Sequence, residues 1–201
     1  MMHTAQAQFS MLTVPSDVAL QVTPAQFAAL VVANRDLRLE RTATGHLIVN
    51  PPTGGETGRR NFNLTAQLGM WFEANESLGI AFDSSTGFEL PNGANRSPDA
   101  AWVRQDRWTA LSADQREGFV PLCPDFVIEL RSKTDKLKVL QAKMQEYLDN
   151  GTQLGWLIDP THEQVAVYRA GQAVEVLKRP MTLSGEAVLP GFTLSLKRIW
   201  A

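Results

Sequence analysis

The stretch from Pro124 to Asn150, PDFVIELRSKTDKLKVLQAKMQEYLDN, decides the fold of this chain. Its first part alternates apolar and charged residues, and successive side chains of a strand point to opposite faces. We therefore expect a strand with one core face and one charged face. The core face holds Phe126, Ile128 and Leu130, and the charged face holds Asp125, Val127, Glu129 and Arg131.

The second part of the stretch has the period of a helix. At about 100° per residue, a single apolar stripe contains Leu137, Leu140, Met144, Tyr147 and Leu148. Lys136 and Lys143 fall together on one edge of that stripe. A lysine in this position can reach across the rim of the core toward the strand. The stretch therefore predicts a carboxylate site built on a strand and served by a helix.

Length and composition bound the class of protein. The chain has 201 residues, of which 44% are hydrophobic and 20% charged, so one globular domain is the expectation. We divide it into an N-terminal arm, residues 1–22, and a domain, residues 23–201. With a net charge of −2, the protein does not attract nucleic acid through its overall charge. Any such binding needs a local basic patch.

Cysteine, histidine and apolar patterning exclude further classes. A single cysteine, Cys123, excludes an intrachain disulfide and a cysteine-built metal site, and the three histidines show no ligand spacing. The sequence has no apolar run near 20 residues and no signal-peptide pattern. We expect a cytoplasmic protein without a membrane contact.

Capping signals and periodicity predict a mixed order of helices and strands. Thr23 and Pro24 open a helix that runs to Ala33, and the capping-box spacing of Thr53 and Glu56 opens a longer one that runs to about Ser77. A short polar helix is predicted over Ser112–Glu117. Predicted strands lie at Leu37–Arg41, Leu47–Val49, Ile80–Asp83, Gly87–Leu90, Asp99–Val103, Leu154–Asp159, Gln164–Tyr168 and Ala173–Leu177, with further edge strands in the tail.

Asp99, Glu129 and a lysine form the strongest candidate for chemistry. Asp99 stands at the start of a predicted strand in SPDAAWV, and Glu129 lies mid-strand among apolar residues, where an unpaired carboxylate is costly. Two carboxylates that converge from neighbouring strands can hold Mg²⁺ (or Mn²⁺) through oxygen ligands. A lysine beside them would orient or deprotonate the attacking water. This is the chemistry of phosphodiester hydrolysis.

Three segments together resemble the Uma2 family of restriction endonuclease-like proteins. They are GGETGRRN, FDSSTGFELPNGANRSPDAAWV and PLCPDFVIELRSKTDKLKVLQAKMQEYLDNGTQLGWLIDP. The resemblance extends from about Gln26 to Trp200. It implies the PD-(D/E)XK nuclease fold, an α/β (α+β) restriction-endonuclease-like fold with a central mixed sheet flanked by helices and with additional antiparallel strands. It also implies that Asp99 is the first acid of the motif and Glu129 the second.

The lysine of the motif departs from the family pattern. Arg131 occupies the position two residues after the second acid. An arginine holds its proton too tightly to act as a base, although it can bind a phosphate. The resemblance points to Lys143, because members of this fold move the lysine onto the following helix. Lys133 and Lys136 are the two rivals.

Several other residues have both a functional and a structural interpretation. Asp125 shares the face of Glu129, but it follows Pro124 and so can simply shape the strand entry. Glu56 is explained by the capping box, although an acid on the first long helix assists some nucleases of this fold. Arg59 and Arg60 could bind phosphates together with nearby backbone amides, or could lie on a solvated helix face.

The resulting prediction is a Mg²⁺- or Mn²⁺-dependent endonuclease acting on DNA. The alternative is a nucleic-acid or protein binding module that keeps the nuclease fold without turnover, which Arg131 and the acidic net charge favour. A homodimer built from the N-terminal arm and the apolar C-terminal strands would place two sites opposite the two strands of a duplex. The residues leave open the recognition sequence and the choice between DNA and RNA.

Overall fold

The computed structural model describes residues 19–201. The predicted arm, residues 1–22, therefore lies almost wholly outside the described residues. The end of that segment pairs with the turn that follows the first strand. The Val22 N–H donates to the Gly45 carbonyl at 2.8 Å, and the Leu47 N–H donates to the Leu20 carbonyl at 2.7 Å.

Six helices and twelve strands follow one another along the described chain. The helices are α1 Pro24–Ala33, α2 Gly55–Glu73, α3 Gln105–Thr109, α4 Ala113–Glu117, α5 Leu137–Asp149 and α6 Lys197–Trp200. The strands are β1 Arg38–Arg41, β2 Leu47–Asn50, β3 Gly79–Asp83, β4 Phe88–Glu89, β5 Asn95–Arg96, β6 Ala100–Arg104, β7 Phe126–Leu130, β8 Leu154–Asp159, β9 Gln164–Arg169, β10 Glu175–Lys178, β11 Thr182–Ser184 and β12 Thr193–Ser195. No helix in this part of the chain is both long and apolar enough to span a membrane.

A six-stranded mixed sheet with the order β10-β9-β8-β7-β6-β3 forms the centre of the molecule. Strands β7 and β8 are parallel, and the other neighbouring pairs are antiparallel. The parallel pair requires a crossover connection, which α5 supplies. The predicted fold class, a mixed sheet flanked by helices with additional antiparallel strands, is confirmed.

Two smaller sheets complete the architecture. One has the order β2-β1-β5-β4, and the other is the β11–β12 hairpin. Leu64 and Leu68 of α2 share one core with the hairpin and one face of the central sheet. Met144 and Tyr147 of α5 share the other core with the opposite face of that sheet. Both faces of the central sheet are therefore covered.

The covering of both faces corrects the interpretation of β7. All five of its residues are buried, including Val127 and Glu129 on the face predicted to be merely charged. Val127 belongs to the same core as Met144 and Tyr147 of α5. Strands that carry helices on both faces are buried throughout. Glu129 consequently lies beneath a helix and has little access to solvent.

The capping signal was correct for α1 but wrong for α2, and the short polar helix predicted over Ser112–Glu117 is α4. Thr23 is the N-cap of α1, as expected from the sequence, and it forms a reciprocal capping box with Gln26. The N-cap of α2 is Gly54, which has no side-chain cap, and the helix ends at Glu73. The Thr53 hydroxyl donates instead to the Gly54 carbonyl at 3.2 Å. The short helices α3 and α6 were not predicted from the sequence.

Candidate active site

Asp99 and Glu129 come together because β6 and β7 are antiparallel. Ala100 pairs with Ile128, so Asp99, one residue earlier, lies beside the end of β7. The Asp99 N–H donates to the Ile128 carbonyl at 3.0 Å. The Leu130 N–H donates to Asp99 Oδ2 at 2.8 Å. Residues opposite one another in an antiparallel pair point to the same face of the sheet, so both acids project toward α5.

Lys143 turns inward from α5 and contacts the second acid. Its Nζ lies 2.8 Å from Glu129 Oε1 and 3.0 Å from Glu40 Oε1, and it donates to the Ser97 carbonyl at 3.4 Å. Tyr147, one helical turn later on the same face, donates its hydroxyl to Glu129 Oε1 at 3.0 Å. Of the three candidate lysines, Lys143 is the one that the structure brings to the acids.

Glu40 is a residue of this site that the sequence did not reveal. It lies on β1, its side chain is only 3% exposed, and it binds both Lys143 and Arg96, the latter at 3.2 Å. The available signal was an acid within a short predicted strand. An acid in a short strand does not indicate a site unless the position of the strand in the fold is known. The position of β1 next to α5 depends on contacts between residues far apart in the chain.

Five charged side chains of alternating sign, which we call the charge chain, run from the surface into the site. In order they are Glu146, Arg96, Glu40, Lys143 and Glu129. Its outermost contact, between Arg96 Nε and Glu146 Oε2, measures 2.6 Å. Charge-assisted hydrogen bonds of this kind are the strong ones in proteins. The charge chain fixes Glu40 and Lys143 beside Glu129.

Each of the two predicted acids has one anchored oxygen and one available oxygen. Glu129 Oε1 accepts from Tyr147 and contacts Lys143, while Oε2 has no hydrogen-bond partner among residues 19–201. Asp99 Oδ2 accepts from the Leu130 N–H, while Oδ1 accepts no hydrogen bond from the described residues and lies 3.6 Å from Arg38 Nη2. Anchoring one oxygen fixes the orientation of a carboxylate and leaves the other oxygen for a ligand.

Burial and charge set the protonation of these groups. Burial raises the pKa of Glu129 to about 7, although Lys143 opposes the shift, and the neighbouring acids add to it. Burial likewise raises the pKa of Asp99. Burial also acts on Glu40, but Lys143 and Arg96 outweigh it and lower the pKa of that carboxyl. Glu129 and Glu40 in turn overcome burial and raise the pKa of Lys143, which therefore carries its proton.

The residues of the site suit a divalent cation in charge and in donor type. Residues 19–201 contain no cluster of three histidine, cysteine or carboxylate side chains close enough together to enclose a metal. Asp99 and Glu129 supply two hard oxygen ligands, and Mg²⁺ is usually bound by one or two carboxylates together with water and substrate oxygens. Four carboxylates face three cationic side chains here: Glu40, Asp99, Glu129 and Glu146 against Arg38, Arg96 and Lys143.

Arg131, at the motif's lysine position, is bound elsewhere. Its Nη1 donates to Asp159 Oδ2 at 2.8 Å, and its Nε donates to the Asp135 carbonyl at 3.2 Å. Asp159 ends β8, the parallel neighbour of β7. Arg131 therefore stabilises the ends of two adjacent strands, and it makes no hydrogen bond or ion pair with Asp99 or Glu129 among the described contacts.

The remaining accessory candidates make no hydrogen bond or ion pair with Asp99 or Glu129 among the described contacts. Asp125 precedes the other end of β7, roughly 13 Å from Glu129 at the rise of a strand, and it pairs with Arg107 at 2.9 Å. Lys136 is the N-cap residue of α5 and is exposed, as is Lys133. Glu56 is exposed and does not take part in a capping box.

Arg59 and Arg60 hold the C-terminal helix. Arg59 pairs with Glu56 at 3.0 Å and donates to the Arg198 and Ala201 main-chain oxygens at 3.1 and 2.7 Å. Arg60 donates to the Ile199 carbonyl at 2.8 Å. Helix C-termini leave carbonyl groups without partners in the helix, and arginine side chains satisfy them well. Both guanidinium groups are thus engaged in fixing α6.

A mixed sheet flanked by helices, with one acid immediately before β6, another on the adjacent β7 and a lysine from the crossover helix, is the arrangement expected of the restriction-endonuclease-like fold. The Uma2 family model, described as "Putative restriction endonuclease", matches residues 24–197. The chain therefore belongs to the Uma2 family, whose description is of nuclease type.

A solved structure shares the fold. The chain is similar to a crystal structure from Anabaena variabilis described as "a putative nuclease belonging to DUF820", with a TM-score of 0.68 and 22% sequence identity. The similarity covers 81% of this chain and 89% of that one. No match was found among curated proteins.

Proposed function

We propose that the protein is a Mg²⁺- or Mn²⁺-dependent endonuclease that hydrolyses phosphodiester bonds in DNA. One observation carries the proposal: Asp99, immediately before β6, and Glu129, on the adjacent β7, each have one oxygen anchored and one available, next to the buried ammonium of Lys143. Membership of the Uma2 family supports the nuclease class. A plasmid cleavage assay with and without a divalent metal tests both the metal and the DNA substrate.

The residues of the chain have separate roles in this proposal. A bound Mg²⁺ would supply Lewis-acid stabilisation of the phosphate and would lower the pKa of a bound water. Asp99 and Glu129 would hold the metal, since each has an oxygen without a hydrogen bond among the described contacts. Lys143 keeps its proton between Glu40 and Glu129, so it orients the attacking water or balances charge on the phosphate, and it does not act as the base. Tyr147 keeps Glu129 in one orientation.

Cleavage of supercoiled plasmid in the presence of Mg²⁺ or Mn²⁺ tests the function. We expect nicked and linear products with either metal and none with EDTA. Asp99→Asn should lower the rate by about 100-fold or more, because it removes one of two charged ligands from the metal. The Leu130 N–H can still donate to the amide oxygen, so the variant should fold. Cleavage in EDTA, or an unchanged rate for Asp99→Asn, would contradict the proposal.

A binding module without turnover is the second candidate. Lys143 already neutralises Glu129, so these two residues are stable together without a metal. This function predicts binding of DNA or RNA that weakens with salt but does not require a divalent ion. Fluorescence anisotropy with labelled DNA and RNA duplexes, with Ca²⁺ or with EDTA, distinguishes it from the enzyme and also compares the two nucleic acids.

We also propose a homodimer as the unit that cuts both strands of a duplex. Exposed apolar side chains near the C-terminal strands support it: Val174, Val176 and Met181 are between 42% and 58% exposed. Light scattering at several protein concentrations should give twice the chain mass, and Val176→Lys should lower that mass. A monomer over the whole range would refute the dimer.

A further inference from the structure

Arg38 lies beside Asp99, although neither its sequence context nor the family motif marks it. It lies on β1 two residues before Glu40. Side chains two apart on a strand share one face, so β1 directs both Arg38 and Glu40 toward the acids. The distance of 3.6 Å between Arg38 Nη2 and Asp99 Oδ1 agrees with this placement.

The backbone immediately before Asp99 joins Arg38 to Lys143. Arg38 Nη2 donates to the Ser97 carbonyl at 3.0 Å, and Lys143 Nζ donates to the same oxygen at 3.4 Å. Two cationic side chains thus converge on one carbonyl beside the available oxygen of Asp99. An anion that approached Asp99 and Glu129 would meet positive charge from both.

Arg38 has donor capacity that residues 19–201 do not use. Its Nε is buried and has no hydrogen-bond partner among residues 19–201. Its contact with Asp99 is an ion pair longer than a hydrogen bond. A buried donor without a partner costs free energy, and a ligand oxygen would relieve that cost.

Exposure shows which side of the site is open. The side chain of Arg38 is 33% exposed and that of Asp99 is 14%, whereas Lys143, Glu129 and Glu40 are 10%, 4% and 3% exposed. A substrate that enters from solvent therefore meets Arg38 and Asp99 first. Arg59 and Arg60, by contrast, use their donors on the C-terminal main chain.

We propose that Arg38 binds the non-bridging oxygens of the phosphodiester that the enzyme cleaves. The inference rests on the proposed nuclease function and extends it to the contact with the reacting phosphate. A guanidinium presents a planar fork of donors that matches a phosphate. Arg38 meets the phosphate from the open side of the site, while Lys143 meets it from the buried side.

Two substitutions and one control isolate this contact. Arg38→Met removes the guanidinium, Arg38→Lys keeps the charge without the fork, and Arg35→Met removes an exposed charge three residues away on the chain. Each variant is assayed on supercoiled plasmid and on bis(4-nitrophenyl) phosphate with Mn²⁺. The small substrate has a single phosphodiester, so it reports on the reacting phosphate and excludes remote phosphate contacts.

We expect Arg38→Met to lower kcat/KM by about 100-fold on both substrates, the scale of losing one donor to transition-state charge. Arg38→Lys should recover only part of that loss, and Arg35→Met should stay close to wild type. The unfolding midpoint in urea should change little, because the residue is partly exposed. A loss on plasmid alone, or a loss matched by Arg35→Met, would overturn the inference while leaving the nuclease function in place.

Binding separates failure of this inference from failure of the proposed function. Anisotropy with a short labelled DNA duplex in Ca²⁺ measures whether Arg38→Met weakens binding more than Arg35→Met does. If wild-type protein does not cleave but Arg38 is required for binding, hydrolysis fails and the phosphate contact stands. If wild-type protein neither cleaves nor binds, both are overturned.

Discussion

Replacing Glu129 by glutamine is expected to abolish metal-dependent cleavage without unfolding the protein. The amide has the shape of the carboxylate, and its oxygen can accept from both Tyr147 and Lys143. Its charge is lost, so one of two charged metal ligands disappears. We expect cleavage of supercoiled plasmid to fall on the order of 1,000-fold, since metal assistance is worth several kcal/mol and each 1.4 kcal/mol is tenfold.

Glu129→Gln should lower the cleavage activity but raise the free energy of unfolding at higher pH. Burial raises the pKa of Glu129 to about 7 from its ordinary 4.5, so the folded protein binds this proton more tightly than the unfolded chain does. The stabilisation from this proton is therefore fully present below a pH of 4.5 and is lost as the pH rises through about 7. The free energy of unfolding falls by about 3 kcal/mol over that range. In Glu129→Gln the side chain has no proton to lose, so the stability of this variant does not fall with pH in this way.

Urea denaturation at about pH 5 and about pH 8 checks the sign of this effect. Glu129→Gln should resemble wild type at the lower pH and be the more stable protein at the higher pH. Asp125→Asn is a matched control, because it changes a buried acid at the other end of the same strand. A variant less stable than wild type at the higher pH would show that Glu129 stabilises the fold in its ionised form.

Replacing Lys143 by methionine should give the largest loss of stability. The methionine fills the space of the apolar stem, but Glu40 and Glu129 are left buried without the ammonium that lies between them. Removing one partner of a buried ion pair typically costs about 3–5 kcal/mol. Urea denaturation near neutral pH measures the loss, and Lys138→Met, on the exposed side of the same helix, is the control.

A double variant shows whether the loss comes from charge. Lys143→Met combined with Glu129→Gln removes both members of the inner pair, so part of the lost stability should return. If Lys143→Met alone is as stable as Lys138→Met, the lysine does not compensate the buried acids. That result would contradict the assignment of Lys143 as the charge partner of Glu40 and Glu129.

The contact between α5 and β7 could be anticipated from the sequence because both periods are local. The helical period placed Lys143 on the flank of the apolar stripe, and the strand period placed Glu129 toward it. The pairing of Asp99 with Glu129 was inferred from two acids on predicted neighbouring strands, and the family resemblance gave them their places in the motif. The local pattern of β7 did not show that α5 would cover its charged face, because alternation is also typical of a strand that is solvated on one side.

Other features depend on contacts between distant parts of the chain. The role of Glu40 depends on where the β1–β2 hairpin docks. The fate of Arg131 depends on Asp159, which meets it only because β7 and β8 are parallel neighbours. The capping box at Thr53 failed for a local reason, because Gly54 and not Thr53 is the N-cap of α2. The spacing of side chains along the sequence does not show where Glu40 docks or that Arg131 meets Asp159.

The charge chain has a consequence for how this sequence can change over evolutionary time. Arg96, Glu40 and Lys143 each lie between two partners of opposite charge. A single substitution at any of them leaves a buried charge without its partner, and such groups show strong pairwise coupling. Viable sequences should therefore exchange these positions in compensating sets, so that a relative lacking Arg96 also lacks the carboxylate at Glu146.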